Sequence, residues 1–369
     1  MNKRFPRFYY SPPFSTVNGR VTIDYEIENG GISSPSFCFD NERFNESDSF
    51  CKNEYLKNIP LVSRLSFLEN HTCEELYSSA IEELNKIDVP EIAKYYRTLI
   101  LELSRIAGFF LNIYNISSAL KFEVARMWSL ADRERIQQLI FKVKGNEYFA
   151  PYIVPGGVRC AVLSKNMKFI EEEILLIETK LNDYDKLLFQ NEFFRMRTAG
   201  VGTVTKKEIA DYGITGPVAR AANVSFDVRK KLPYEIYGNF KTNPHFYSHS
   251  DVYDRLLCRR NEISDSIEML KFIFANIPYE KHFANLDMYE HGQLTVKAGV
   301  ALKRAEGVNG EFICMLESDG SSKPSNIKFR SPMYHLAGDF IKNLINNTSI
   351  DDIDLVLSSL FLIPMEMHI

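Results

Sequence analysis

Two histidines four residues apart, His245 and His249 in the segment NPHFYSHSD, have the spacing of a metal-binding pair. Such a pair works when both imidazoles share one face. The neighbouring Asn, Pro and Ser read as loop, where exposed histidines are common, so a ligand pair and two solvated side chains both stand as readings. Gly200-Val201-Gly202 holds two glycines of a phosphate-cradling loop. The third glycine and the acidic residue after a second strand are missing, which favours an ordinary turn. The six cysteines, Cys38, Cys51, Cys73, Cys160, Cys258 and Cys314, form no CxxC pair and none has a histidine at ligand spacing. That argues against a zinc site or an iron–sulfur cluster built from this chain alone. Asp254-Arg255, Arg259-Arg260 and Glu262 make a charge-dense helical stretch. Its default reading is an ion-paired solvated face; the alternative is an arginine anchor against another subunit or an anionic cluster. Arg64 lies between Leu61-Val62 and Leu65. It either snorkels to the surface or serves a buried negative partner.

The elements that must position these residues are readable in outline. Residues 1–60 are strand-rich: Val21 to Ile27 alternates in part and Asn29-Gly30-Gly31 closes it as a turn, with 32–53 read as loop or irregular edge. Residues 61–145 read as helical. Asp88-Val89-Pro90-Glu91 is a helix start, with Asp88 as the expected cap. The apolar stripe that follows is wide, as in a helix inside a bundle. Pro155-Gly156-Gly157 marks a turn where backbone must come close to something. Helix resumes over 164–195, with Glu171 to Glu173 as a solvated face. Residues 198–240 are loop-rich, and a long helix covers 250–275. Strand 310–316, a turn at Ser318-Asp319-Gly320-Ser321, strand 326–329 and a helix over 332–345 finish the chain.

Composition sets outer limits. A length of 369 residues allows two to three domains or one multi-lobed subunit, and 45% apolar with 25% charged residues is globular. A net charge of −4 excludes the basic signature of a nucleic-acid binder. The apolar run 106–113, broken by Asn112, falls short of the roughly 20 residues of a membrane span. The opening MNKRFPRFYYSPPF has no apolar h-region of a secretory signal, and the cysteines suit a reducing compartment.

Five collinear segments carry a family resemblance. They are Tyr152-Ile153-Val154-Pro155-Gly156-Gly157-Val158, Arg197-Thr198-Ala199-Gly200-Val201-Gly202, YGITGPVARAANVSFDVRKKLPYEIY from Tyr212, SDVYDRLLCRRNEI from Ser250, and GEFICMLESDGSSKPSNIKFRSP from Gly310. Together they resemble the 49 kDa (D-type) subunit of respiratory complex I and the large subunit of energy-converting nickel–iron hydrogenases. The resemblance implies an α+β fold: mainly a helical bundle (61–197), a small N-terminal β-containing lobe (1–60), and a loop-rich, mixed β-hairpin and helix region (198–369) completing the bundle. It implies a peripheral subunit on the cytoplasmic side of the cell membrane. Electrons would come from an iron–sulfur cluster in a small partner subunit. They would pass toward quinone as a candidate acceptor, with ion translocation in membrane-arm subunits and NAD at a distant subunit. Membrane contact would run through these partners, and this chain alone would bind no cofactor.

Carried over residue by residue, the resemblance implies a changed pocket. The hydrogenase cysteine pairs would fall near Leu61 to Arg64 and near Ile363 and Glu366, where no cysteine stands. Without thiolates that metal pair cannot be held, so no metal site is expected. The quinone-binding tyrosine would align with Leu61, the hairpin histidines with Val17 and Asn18, and their supporting acid with Asn115. None of these titrates near neutral pH. Arg64 matches an arginine near the partner's cluster, while Phe149 and Val154 replace a histidine and an arginine there. Arg220, Asp227 and Arg229 match the family's central loop, and Glu306, Gly310 and Glu311 its acidic-glycine strand. Two roles follow as expectations: an electron-transferring oxidoreductase subunit, or a non-catalytic scaffold that has lost the quinone and metal site.

Overall fold

The computed structural model describes residues 6–11, 19–39, 46–145, 150–241, 245, 247–280, 282–285, 289–290, 293–346 and 348–368. Val17, Asn18 and Phe149 lie outside the described residues.

β1 (Arg7–Tyr10), β2 (Val21–Glu28) and β3 (Gly31–Phe39) form an antiparallel sheet in that order. Asn29 (φ 53°) and Gly30 (φ 82°) make its two-residue turn, which needs two left-handed positions. The expectation of a loop over 32–53 is corrected here, because β3 and helix α1 (Glu46–Lys52) occupy much of it. Pairing with β2 imposes the strand on a Ser-rich segment. Pro35 is tolerated because the register slips between Asp24 and Glu26, so a residue without an N–H sits in the bulge.

α2 (Tyr55–Val62), α3 (Asn70–Asn85), α4 (Glu91–Ala119) and α5 (Glu123–Val143) follow. Asp88 does not cap α4. Pro90 takes that position, and the Ile92 N–H donates instead to the Glu280 carboxylate (3.3 Å). α4 is long and apolar enough to cross a membrane, yet 94% of its apolar window is buried inside the protein. It is the central helix of the bundle. β4 (Ile153–Val154) and β5 (Gly157–Val158) flank the Pro-Gly turn. α6 (Ser164–Tyr184) runs into a π-turn over Asp185–Phe189, then α7 (Glu192–Thr198), α8 (Lys206–Tyr212), α9 (Gly216–Ala221) and α10 (Val228–Lys231). α11 (Val252–Asn276) returns through the bundle, started by the Asp251 side chain, which accepts from the Asp254 N–H (2.9 Å).

β6 (Tyr289–Glu290) pairs with β7 (Gln293–Leu294). β8 (Gly299–Glu306), β9 (Glu311–Ser318) and β10 (Asn326–Arg330) form a second antiparallel sheet in that order. The region expected as one helix over 332–345 is two, α12 (Met333–Leu336) and α13 (Asp339–Ile345), parted at Gly338 (φ 75°). α14 (Ile353–Leu360) packs on α4 and α11.

Two cores result. The larger joins α4, α5, α6, α11 and α14, and the β1–β3 sheet packs onto it. The smaller lies between α2, α3 and the β8–β10 sheet, through Tyr55, Tyr77, Phe312 and Leu316. The β8–β9 tip bridges them. Val308 docks against Gly108 of α4, where a Cβ would lie 2.7 Å from Val308 Cγ2.

Candidate functional site

Ser66 stands between α2 and α3. Its hydroxyl accepts from the Glu69 N–H (2.9 Å) and donates to the Glu366 carboxyl, 300 residues further on. Glu366 is fully buried, and its Oε2 has no hydrogen-bond partner among the described residues. Burial first, and next the charge of Glu69, push the Glu366 carboxyl well above the usual range, against the pull of Ser66. Glu69 is itself buried and accepts from the Val308 N–H and from the Thr72 hydroxyl (2.7 Å). Burial raises it too, opposed by those bonds and by Arg105 and Arg259. Two buried carboxyls that repel each other resist ionising together.

The tip that Glu69 grips is held by arginine. Arg105 donates to the carbonyls of Glu306 (2.6 Å) and Gly307 (3.0 Å), and Arg259 to the Val308 carbonyl (2.9 Å) and Asn309 Oδ1 (2.7 Å). Burial pushes Arg259 down to about 10, which leaves it charged at neutral pH. Gly310 (φ 130°) lets the tip meet α9, since a Cβ would lie 2.5 Å from Thr215 Oγ1 and 2.9 Å from the Gly216 nitrogen. Gly310→Ala is expected to cost about 1–3 kcal/mol in strain alone, read as a lower urea midpoint with an unchanged slope.

A second set of charges continues from the tip. Arg220 donates to Glu262 (2.5 Å) and Glu306 (2.7 Å), and Glu306 also accepts from the Val228 N–H (3.0 Å). Arg229 pairs with Asp227 (2.7 Å) and lies 3.5 Å from Glu102, which accepts from the Tyr237 hydroxyl (2.6 Å). Arg229 and then Arg220 hold the Asp227 carboxyl far below its usual value despite burial. A cavity of about 250 Å³, lined by Arg220, Asp227, Lys230, His245, Glu262 and Asp265 among others, brings this network toward solvent. A smaller one of about 100 Å³ lies between α3, α4 and α5, lined by Phe67, Asn70, His71, Ser104, Arg133 and Lys144 among others. Burial lowers His71 well below its usual value, so its ring is neutral.

The expected site residues are distributed as follows. Arg220, Asp227, Arg229 and Glu306 share the buried network, and Glu311 pairs with Arg304 (3.0 Å) beside Gly310. Leu61 and Val154, both half-buried, pack on the smaller core, whereas Asn115 is buried on α4 with its amide unpartnered among the described residues. Arg64 is exposed just beyond α2 and meets no carboxylate among the described residues, so within this chain it reaches the surface. Glu366 faces Ser66 and Glu69. Ser66 and Glu69 carry no local signal, and only contact with the far end of the chain identifies them. The solvated-face reading of Asp254, Arg255, Arg259 and Glu262 is overturned: all four are buried, and Arg255 bonds Ser359 and the Gly202 carbonyl. That last bond, with Gly200 donating to Asp251 (2.7 Å), accounts for the Gly200-Val201-Gly202 turn. His245 pairs with Asp265 (3.2 Å) and His249 lies 3.6 Å from Asp254. Among the described residues no group of three His, Cys, Asp or Glu is arranged to hold a metal ion.

The family profile described as "Respiratory-chain NADH dehydrogenase, 49 Kd subunit" matches residues 123–368. The D-type subunit of the NADH-quinone oxidoreductase of Thermosipho melanesiensis is 30% identical over 306 residues, 83% of this chain and 83% of that protein. Its counterpart from Wolbachia sp. subsp. Brugia malayi is 30% identical over 300 residues, 75% of this chain and 77% of that protein. Among solved structures, a chain of the membrane-bound sulfane sulfur reductase, an archaeal respiratory membrane complex, superimposes with a TM-score of 0.93 at 25% identity, with both chains covered in full.

Proposed function

This chain belongs to the family of the 49 kDa subunit of the respiratory-chain NADH dehydrogenase, and we propose that it forms the acceptor-pocket wall of a membrane-associated respiratory complex. It is a subunit of an NADH-quinone oxidoreductase-like complex that moves electrons toward an acceptor. In this reading electrons arrive from an iron–sulfur cluster in a small partner subunit, and the nicotinamide donor is oxidised at a distant subunit. Membrane-arm partners hold the chain on the cytoplasmic side and translocate ions. Arg64, exposed beyond α2, faces the partner's cluster. The carrying observation is the buried Ser66, Glu69 and Glu366 constellation, of which Ser66 stands two residues along the chain from Arg64. Reduction of an acceptor consumes protons, and a carboxyl held neutral is the group that can deliver one. Carboxyls shifted this strongly by burial and a like charge cluster at functional sites.

A second acceptor has its own support. The solved chain that matches along its full length is part of a sulfane sulfur reductase, and Leu61 and Asn115 offer no titrating group where quinone-reducing relatives are expected to have one. A sulfane sulfur compound then takes the place of quinone. The test is reduction of a short-chain quinone and of polysulfide by the purified complex, with and without Arg64→Ala. Activity toward one acceptor that falls in the variant supports the oxidoreductase reading. Activity toward neither, or no change in the variant, supports the scaffold.

A further inference from the structure

Away from the Glu366 pair, the fully buried Arg97 guanidinium sits among three carboxylates. It donates to Glu82 (2.5 Å) and Glu235 (3.0 Å) and lies 3.6 Å from Glu75. Its remaining hydrogens go to the carbonyls of Val154 (3.0 Å) and Gly157 (3.0 Å) in the 152–158 turn. Glu82 takes the Gly156 N–H (2.7 Å), and Glu74 takes those of Tyr152 and Ile153 (3.0 Å each). The turn thus hangs on carboxylates of α3 and on Arg97. Gly157 lets the turn approach the 283–284 backbone, since a Cβ there would lie 2.3 Å from the Phe283 carbonyl oxygen.

One positive charge does not neutralise three buried negative ones. Glu75 Oε2 and Glu235 Oε2 are both buried and have no hydrogen-bond partner among the described residues, and the two carboxyls flank one Arg97 nitrogen, with Glu235 Oε1 at 3.0 Å and Glu75 Oε2 at 3.6 Å from Nη1. Arg97 Nη1 hydrogen-bonds Glu235 but leaves one oxygen of each carboxyl without a donor, and one added hydrogen supplies it. We propose that Glu75 holds a bound proton in the crowd around Arg97, forming a buried proton site whose occupancy sets how firmly Arg97 and Glu82 hold the 152–158 turn.

The groups facing the pair are Glu82 from α3, Arg97 from α4 and Tyr234 from the loop after α10, while the turn presents backbone. Burial first, and then Glu235, push Glu75 well above the usual carboxylate range, with Arg97 opposing. With the proton bound, Arg97 is shared by Glu82 and one further negative charge. Without it, a third carboxylate competes with the Val154 and Gly157 carbonyls, and the turn loosens.

The experiment is amide exchange at the Gly156 peptide in the purified complex across a pH series, corrected for intrinsic exchange. It compares the native chain with Glu75→Gln and Glu235→Gln. The native protein is expected to lose protection as pH rises, by up to about tenfold per pH unit above the point where Glu75 gives up its proton. Either Gln variant, an uncharged isostere of the protonated acid, is expected to hold protection flat. A variant that does not assemble leaves the other to carry the same readout. The proposal is overturned if native and variant curves run parallel. It is equally overturned if both variants lose protection at every pH or fail to assemble, since the turn would then require the charged form of Glu75.

Discussion

Glu366→Gln lowers the rate of acceptor reduction by the assembled complex about 10²–10⁴-fold, the usual contribution of a positioned general acid. Glutamine keeps the side-chain shape and an oxygen that accepts from the Ser66 hydroxyl, so the contact across the chain survives. What it removes is the transferable proton. Stability runs the other way. A carboxyl whose folded pKa lies above its unfolded value stabilises the fold below the unfolded pKa, near 4.5, and loses that contribution as pH rises toward the folded value. The variant lacks this titration, so its urea midpoint falls less than the native one between weakly acid and alkaline pH. A turnover within about twofold of native, in a variant that assembles, would remove the acid pair from the reaction.

The second large effect is on folding. Arg220→Met is expected to cost about 3–5 kcal/mol, the range for removing one member of a buried ion cluster. That is a large share of the 5–15 kcal/mol typical of a folded domain. Arg220 is the sole arginine bonded to Glu262 and Glu306 through its side chain among the described residues. Methionine fills the space of the stem but leaves both carboxylates in the interior with no cation touching them. Lysine keeps the charge without the fork that reaches two partners at once. Adding Glu306→Gln to Arg220→Met is expected to restore part of the loss, because the orphaned charge goes with it. Denaturation of the four members of that cycle measures the coupling, and additive costs would mean that the pair does not interact.

Some of this was legible in the chain and some was not, and the division follows the range of the forces involved. The wide apolar stripe of α4, the Pro155-Gly156-Gly157 turn and the β9–β10 hairpin announce themselves through neighbours a few residues apart. Their physical causes, helical periodicity and backbone freedom, are local. The collinear motifs placed the chain in its family, and the matching 49 kDa profile and full-length structural likeness agree with that placement. The α11 charges show the same division. An Asp-Arg-Arg-Glu pattern looks identical whether water or distant counter-ions surround it, and here the partner of Glu262 comes from 42 residues away. Pro90 displaced Asp88 as the start of α4 because Glu280, a remote carboxylate, was on hand to take the free N–H.

By itself, then, the sequence determined the family, the helical bundle with a β-containing N-terminal lobe and a C-terminal β-hairpin, the glycine turns, and the lack of thiolates and titrating groups at Leu61 and Asn115. The tertiary structure alone decided that Ser66, Glu69 and Glu366 meet, that Arg97 gathers three carboxylates, and that Arg64 is left facing outward. Periodicity and turn chemistry act over a few residues. Whether a charge is buried, paired or protonated depends on what chain closure brings beside it, and no short stretch of sequence encodes that.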